Sequence, residues 1–373
     1  SAESNRSWRP LATLLFWVQH QLGDGGTFAF RVTNVLLRLL LVATAFVWFR
    51  QLSSLSVRGV GVGGVRFHDV IAACMACLMA AHPMHVDTYA LGVGQGDTLS
   101  ACLVVFAVLV RMNSLHVDLQ LGPLRSWTWL QDVLFPSAGF LALCVLAGTA
   151  KEIGAMLVPV LCFMDATAVA LPAVALQRHA LGAVARGKHF ARCAVLTASW
   201  AALMYVRLRV VQPGPPAMPR SSNFIAAHPS FVARSLTLWW AAAWHFTSVL
   251  APTSITSDRG DTCLQAITSL KDFRNVTTLS FLAALGVIAA GMAAAWRRWA
   301  RAEATTALAA LGTQREKKRT VKETGEEGCS PVAAPAAAGV VLAASSCCIM
   351  ALVTFLPSSN LLFTVGFVVA ERI

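Results

Sequence analysis

Four residues able to do acid, base or electrostatic chemistry fall in one short stretch. His82, His85, Asp87 and Asp97 lie within AHPMHVDTYALGVGQGD, residues 81–97, between two strongly apolar runs at Val70–Ala80 and Thr98–Val110. A carboxylate there could take a proton from a hydroxyl, and an imidazole could orient a sugar or that carboxylate. Ionisable groups at the edge of a hydrocarbon layer are costly unless paired or watered, so by default they mark a functional site. If Pro83 opens a short helix, His85 and Tyr89 share a face with Asp87 about half a turn away. His-x-x-His-x-Asp also contains three kinds of metal ligand. Pro83 disrupts the spacing that would aim both imidazoles at one ion, and the reading preferred here has no metal and no cofactor.

The elements that must carry these residues are membrane helices. Of 373 residues 56% are hydrophobic and 13% charged, and the mean hydropathy is +0.62. A soluble domain could not hide that much apolar surface, whereas runs near the ~20 residues needed to cross hydrocarbon recur along the chain. The net charge of +12 resides in loops between the spans, where it orients a membrane protein and makes a poor nucleic-acid groove. Eight of the ten cysteines fall inside apolar runs and read as small packing residues, Cys74-x-x-Cys77 included. No cleavable signal pattern is visible. The polar opening SAESNRSWRPL and the close VVAERI read as the edges of a segment of a longer protein.

Basic loops give the threading. Residues 1–26 are read as part of a first non-cytoplasmic loop, and residues 27–211 as a helical bundle with spans at Phe28–Phe49, Val70–Ala81, Thr98–Val110, Val133–Ala150, Ile153–Ala170 and Ala194–Val211. Arg38, well inside the first span, must face protein or water. Arg50, Arg58 and Arg66, then Arg111 and Arg125, then Arg178, Arg186, Lys188 and Arg192 mark alternate loops as cytoplasmic. The histidine stretch and the two-residue connection Lys151-Glu152 then share the opposite side. Residues 212–275 form a segment on that same side, whose tryptophan-rich Ser235–Leu250 reads as an interfacial helix. The alternative, that it crosses, stays open. Val276–Trp296 is a span, 297–335 a basic cytosolic linker without fixed structure, and 336–373 a last span with a non-cytoplasmic end. Two glycosylation triplets, at Asn5 and Asn275, fall on the non-cytoplasmic side.

This threading gathers Arg6, Arg9, His20, His82, His85, Asp87, Asp97, Lys151, Glu152, Asp258, Glu371 and Arg372 at one face. Any one of them alone is as readily a surface pair. Together, opposite a face that carries only basic loops, cations suited to a lipid phosphate and carboxylates suited to a hydroxyl make a site.

Several pieces resemble a known family in the same order along nearly the whole chain: SNRSWRPLATLLF from Ser4, AHPMHVDTYALGVGQGDTLSA from Ala81, AKEIGAMLVPV from Ala150 and SSNLLFTVGFVVAERI from Ser358. They are similar to the transmembrane and tetratricopeptide-repeat-containing proteins, and Arg234–Leu279 resembles that family's middle segment. The resemblance implies an all-α polytopic bundle of the C-type glycosyltransferase fold in the endoplasmic reticulum membrane. The implied reaction takes mannose from dolichyl-phosphate mannose to Ser or Thr of an acceptor protein in the lumen. In such enzymes the base usually comes from the first lumenal loop, and the chain begins within that loop. Asp87 stands where the family often has Glu, and Gln95-Gly96 replace a Gly-Arg-Ala before Asp97, which removes one candidate donor contact.

On this reading Asp87, or an acid upstream of Ser1, is the base. Arg9, Lys151 and Arg372 bind the phosphate with Glu371 in the donor-binding set, His82 and His85 orient the sugar or the carboxylate, and Asp97, counted with Asp87 as catalytic, and Glu152 hold the cations in place. A transporter with a polar pathway, or a non-catalytic membrane scaffold, are the rivals. Against the first, the charges gather at one face and not at the midplane.

Overall fold

The computed structural model describes residues 9–56, 61–62, 65–82, 94–121, 130–175, 181–207, 209, 225, 228–250, 258–259, 265–291, 293–294, 297–298, 301 and 369–370. Helices dominate them. The first four are α1 (Pro10–Leu22), α2 (Thr27–Ser56), α3 (Phe67–Ala81) and α4 (Gln95–Leu121), followed by α5 (Phe135–Ala150) and α6 (Leu157–Ala175). Then come α7 (Leu181–Val206), α8 (Phe231–Leu250) and α9 (Arg274–Gly291). A π-helical turn, Leu130–Leu134, leads into α5, and a 3-10 turn, Glu152–Met156, leads into α6. Two short antiparallel pairs complete the description, Gly61–Val62 with Val65–Arg66 and Asp258–Arg259 with Val369–Ala370.

Among the described residues, α2, α4 and α9 contain stretches long and apolar enough to cross a membrane. α3 and α5 are apolar but shorter, at 15 and 16 residues. At 1.5 Å rise per residue, α5 with its π turn still reaches about 30 Å, the thickness of a hydrocarbon core. The protein is an all-α membrane protein.

α2 packs against α3 and α4, α4 against α5, and α6 against α7. Their shared core holds Leu41, Trp48 and Leu52 of α2, Val105 and Val108 of α4, Phe140 of α5, Leu157, Leu161 and Met164 of α6, and Leu196 of α7. Leu36, Leu39 and Leu40 of α2 point away from it and are exposed, as a lipid-facing side should be. Between apolar helices in lipid, close packing of small residues is the main source of attraction. Ser100 Oγ donates to the Ala147 carbonyl at 3.1 Å. Gly154 lies so close to α5 that a Cβ on it would stand 2.3 Å from the carbonyl carbon of Ala147.

Three features differ from the sequence reading. Residues 1–26, expected as loop, contain α1: Pro10 sits at its first turn, no glycine or proline follows until Gly23, and its side packs on α5 and α2. Thirteen residues are too few to cross, so hydropathy alone passes it over. Second, Lys188, His189 and Arg192, expected in a loop, lie inside α7 and are buried. His189 Nδ1 and the Arg111 guanidinium both contact Asp165, and the ring nitrogen lies 3.0 Å from Arg111 Nη2. α4, α6 and α7 are thereby joined by a buried charged cluster near the end remote from Lys151. Third, α4 continues to Leu121 through a region expected to be loop after Val110.

Arg38 has its partner. Its guanidinium donates to the carbonyls of Met79, at 2.6 Å, and Ala80, at 3.5 Å, closing the carboxyl-terminal turn of α3, where a cation also meets the helix dipole favourably. Arg274 and Phe281 of α9 lie against the Trp240 and Phe246 rings of α8, so α8 and the start of α9 run side by side. Asn275 is buried, and its amide donates to the carbonyls of Ser269 and Leu270.

Candidate functional site

The site is assembled from four elements at one end of the bundle. α5 stops at Ala150 because Lys151 turns extended (φ −152°, ψ 142°) while its N–H still bonds to the Ala147 carbonyl at 2.9 Å. The 3-10 turn then starts at Glu152, and the Gly154 N–H closes it onto the Lys151 carbonyl at 3.0 Å. The abrupt change of direction throws the Lys151 and Glu152 side chains outward from adjacent positions. Only glycine at 154 allows the turn to fold back so tightly on α5.

α1 lies across this turn and is pinned at both ends. Gln19, almost fully buried, donates to the Gln95 side-chain oxygen at 2.7 Å, and Gln95 Nε2 donates to the Phe30 carbonyl at 3.0 Å. This relay of side-chain amides fixes α1 against α4 and α2, with Gln19 Oε1 left buried and without a hydrogen bond. Beyond α1, Asp24 and Gly25 adopt left-handed backbone (φ 46° and 75°), reversing the chain into α2. The amino-terminal end of α1 therefore holds Arg9 over the Lys151-Glu152 turn.

Arg9 Nε lies 2.9 Å from both carboxylate oxygens of Glu152, and Nη2 lies 2.8 Å from Oε2. Such forked pairs are among the stronger charge-assisted contacts. Burial pushes the Glu152 carboxyl up, but the Arg9 hydrogen bonds and the charges of Arg9 and Arg207 outweigh it and hold the group below the ordinary carboxylate value. Lys151 Nζ reaches back to Asp97 Oδ1 at 2.8 Å. The other Asp97 oxygen is buried without a hydrogen-bond partner. α4 can bring Asp97 this close because Gly96 abuts the end of α5, where a Cβ would stand 2.8 Å from the Ala150 carbonyl.

A fifth charge joins them, one that sequence reasoning left out of the site. Arg207, at the end of α7, donates from Nη1 to the Gly148 carbonyl at 3.3 Å and places Nη2 3.5 Å from Glu152 Oε1. One signal pointed to it: a cation at the non-cytoplasmic end of a span runs against the usual charge bias.

Of the residues expected at the site, the structure brings together Arg9, Asp97, Lys151 and Glu152. His82 is half-buried at the end of α3, one turn beyond the carbonyls that Arg38 caps. His85, Asp87, Glu371 and Arg372 lie outside the described residues; Ala370, next to Glu371, pairs by backbone with Asp258. Among the described residues no three His, Cys, Asp or Glu side chains gather as a metal site. What the cluster can do is hold an anion: three cations face two carboxylates in a partly dehydrated rim, where fixed charges act more strongly than in water.

A helical membrane bundle with a mixed-charge site at one rim is the class that fold and site define. Comparison with known proteins narrows it. The family model described as "Protein O-mannosyl-transferase TMTC, DUF1736" matches residues 212–286. Human Protein O-mannosyl-transferase TMTC4 is 26% identical over 390 residues, covering 100% of this chain and 46% of the relative. Mouse Protein O-mannosyl-transferase TMTC2 is 25% identical over 395 residues, 99% of this chain and 43% of the relative. The Drosophila melanogaster Protein O-mannosyl-transferase Tmtc2 is 30% identical over 291 residues, 77% of this chain and 27% of the relative. No solved structure matches. The human and mouse matches run along nearly the whole chain, all of them support a likeness to the TMTC proteins, and the chain spans less than half the length of these curated relatives.

Proposed function

We propose that the protein is an O-mannosyltransferase of the endoplasmic reticulum membrane, of the C-type glycosyltransferase kind, taking mannose from dolichyl-phosphate mannose to Ser or Thr hydroxyls of a lumenal acceptor protein. The relatives' names supply the sugar and the protein acceptor. The observation that carries the reading into the structure is the Lys151-Glu152 turn, clasped by Arg9 on one side and Asp97 on the other. A lipid-linked donor places its phosphate at the depth of such a rim, with the chain in the bilayer.

In the reaction the acceptor oxygen attacks the sugar's anomeric carbon from the face opposite the phosphate. The carbon–oxygen bond to phosphate breaks, the electron pair leaves with dolichyl phosphate, and the acceptor proton passes to a carboxylate. The product is inverted at that carbon. Arg9, Lys151 and Arg372 would meet the charge that grows on the departing phosphate. Asp97 and Glu152 would hold Lys151 and Arg9 in place, Glu371 would belong to the donor-binding set, and His82 and His85 would orient the sugar or the base. Asp87 would take the proton. No metal or other cofactor enters this scheme.

The test uses the full-length protein, with Asp87→Ala and Lys151→Ala made singly and mannose transfer measured from the dolichol-linked donor. Loss of about 100-fold or more is expected for an essential base and about 10-fold or more for a phosphate contact. Undiminished rates in both variants would remove both residues from the mechanism.

A further inference from the structure

We propose that Arg207 is a donor-binding residue, placing its guanidinium Nη2 against the phosphate of a polyisoprenyl-linked sugar at the membrane end of α7. The inference rests on the transferase reading above and adds to it a residue on a different helix.

The guanidinium is fixed from one side only. Its Nη1 is spent on the Gly148 carbonyl, in the last turn of α5. Nη2 is buried and makes no hydrogen bond. Its nearest anion, Glu152 Oε1, is 3.5 Å away, whereas Arg9 engages both oxygens of that carboxylate at 2.8 to 2.9 Å. Glu152 is thus already committed to Arg9, and it steadies Arg207 without saturating it. A buried charged donor left unmet costs free energy, and a ligand oxygen that meets it recovers that cost on binding.

Charge and position agree on the kind of oxygen. Among the described residues of the rim, Arg9, Lys151 and Arg207 face Asp97 and Glu152, an excess of one positive charge. A sugar phosphodiester carries one negative charge. The Arg207 side chain is 13% exposed and sits where α7 leaves the apolar layer, so a phosphate reaching it does so at the membrane edge. A lipid-linked phosphate is already held at that depth, while free phosphate is not. A purely structural role, capping α5 through Gly148, uses Nη1 and leaves Nη2 with only the long 3.5 Å ion pair to Glu152.

The experiment measures dolichyl phosphate binding by the full-length protein in lipid nanodiscs, with inorganic phosphate as competitor, for the parent, Arg207→Gln, Arg207→Lys and Arg209→Gln. Arg209 lies two residues further along and contributes to none of the site's contacts, so R209Q should bind as the parent does. R207Q should weaken binding by about 10-fold to 100-fold, the effect of one charge-assisted contact. R207K should restore only part, since an ammonium lacks the planar fork. In mannose transfer, R207Q should raise the donor KM and leave the acceptor KM unchanged, a split that a general loosening of α5 would not produce. If the parent binds and R207Q binds equally well, the inference is overturned and the transferase reading stands. Should R207Q fail to fold, R207K decides, and an affinity equal to the parent's overturns the inference. Displacement by inorganic phosphate at equal concentration would overturn the lipid-linked ligand. A parent that binds no dolichyl phosphate would take the transferase reading down, and this inference with it.

Discussion

Glu152 is the residue on which the rim turns, because two guanidinium groups converge on one carboxylate that belongs to the same turn as Lys151. Replacing it by Gln keeps its size and removes the anion, so Arg9 and Arg207 are left facing each other. The pair is about one-third exposed, so water screens it, and a loss of about 1 kcal/mol is expected in thermal unfolding of Glu152→Gln in detergent. The pH dependence has a definite sign. Its folded-state carboxyl titrates below the ordinary 4.5, so the charge contributes stability above that value and the contribution fades as pH falls through the folded pKa. The parent's Tm should approach that of E152Q as pH is lowered from about 6 toward 3. A constant gap between the two across that range would show that the ionised carboxylate is not what holds the turn. Residue chemistry of this kind was only half legible in the chain. Lys151-Glu152 stood out because it interrupts two apolar runs. The threading also gathers Arg9 and Asp97 at that face but does not say which charge meets which, since Arg9 lies 143 positions from Glu152 and no periodicity links them.

Helices place these charges, and they do so through contacts that forbid a methyl group. Gly154 and Gly139 make a controlled comparison. A Cβ at 154 would collide with the backbone of Ala147 and with Ser100 Oγ at 2.6 Å, while at 139 nothing stands within 4 Å. Gly154→Ala should therefore cost about 1–3 kcal/mol as the turn is forced off α5, and should lower transfer activity by displacing Lys151. Gly139→Ala should be neutral or stabilise by about 0.5–1 kcal/mol, as expected inside a helix. Both are read from thermal unfolding, and equal effects would contradict the close approach described for the turn. The same elements show what hydropathy encodes and what it does not. α3 and α5 are legible because their apolar runs are continuous, and α2 because its run outweighs Arg31 and Arg38. α1 is not, being too short to span and useful only once Gln19 finds Gln95. The start of α7 is not either, because Lys188, His189 and Arg192 carry the signature of a cytoplasmic loop, while the structure buries them in the helix that reaches Asp165.

Across the whole molecule, two charged layers separate along the helices, and the proposed function depends on which one faces the lumen. Arg111 lies sixteen residues along α4 from Gln95, a rise of about 24 Å, so the Arg111–Asp165–His189 cluster belongs near the opposite membrane surface from Lys151. Asp165→Asn would leave the Arg111 guanidinium, 1% exposed, without its carboxylate, and a loss of about 3–5 kcal/mol is expected. Unfolding measurements on that variant test the remote layer and should leave the donor KM of whatever folds unchanged. Orientation has its own test. On the proposed threading, an Asn-x-Thr acceptor inserted within 213–224, just past Arg207, should gain a glycan, and one inserted within 122–129, past the far end of α4, should not. The native triplet at Asn275 should stay unmodified on either side of the membrane, since its amide is buried and bound to two carbonyls. A glycan at 122–129 and none at 213–224 would turn the Arg9, Lys151 and Arg207 rim toward the cytosol, where a lumenal donor could not reach it.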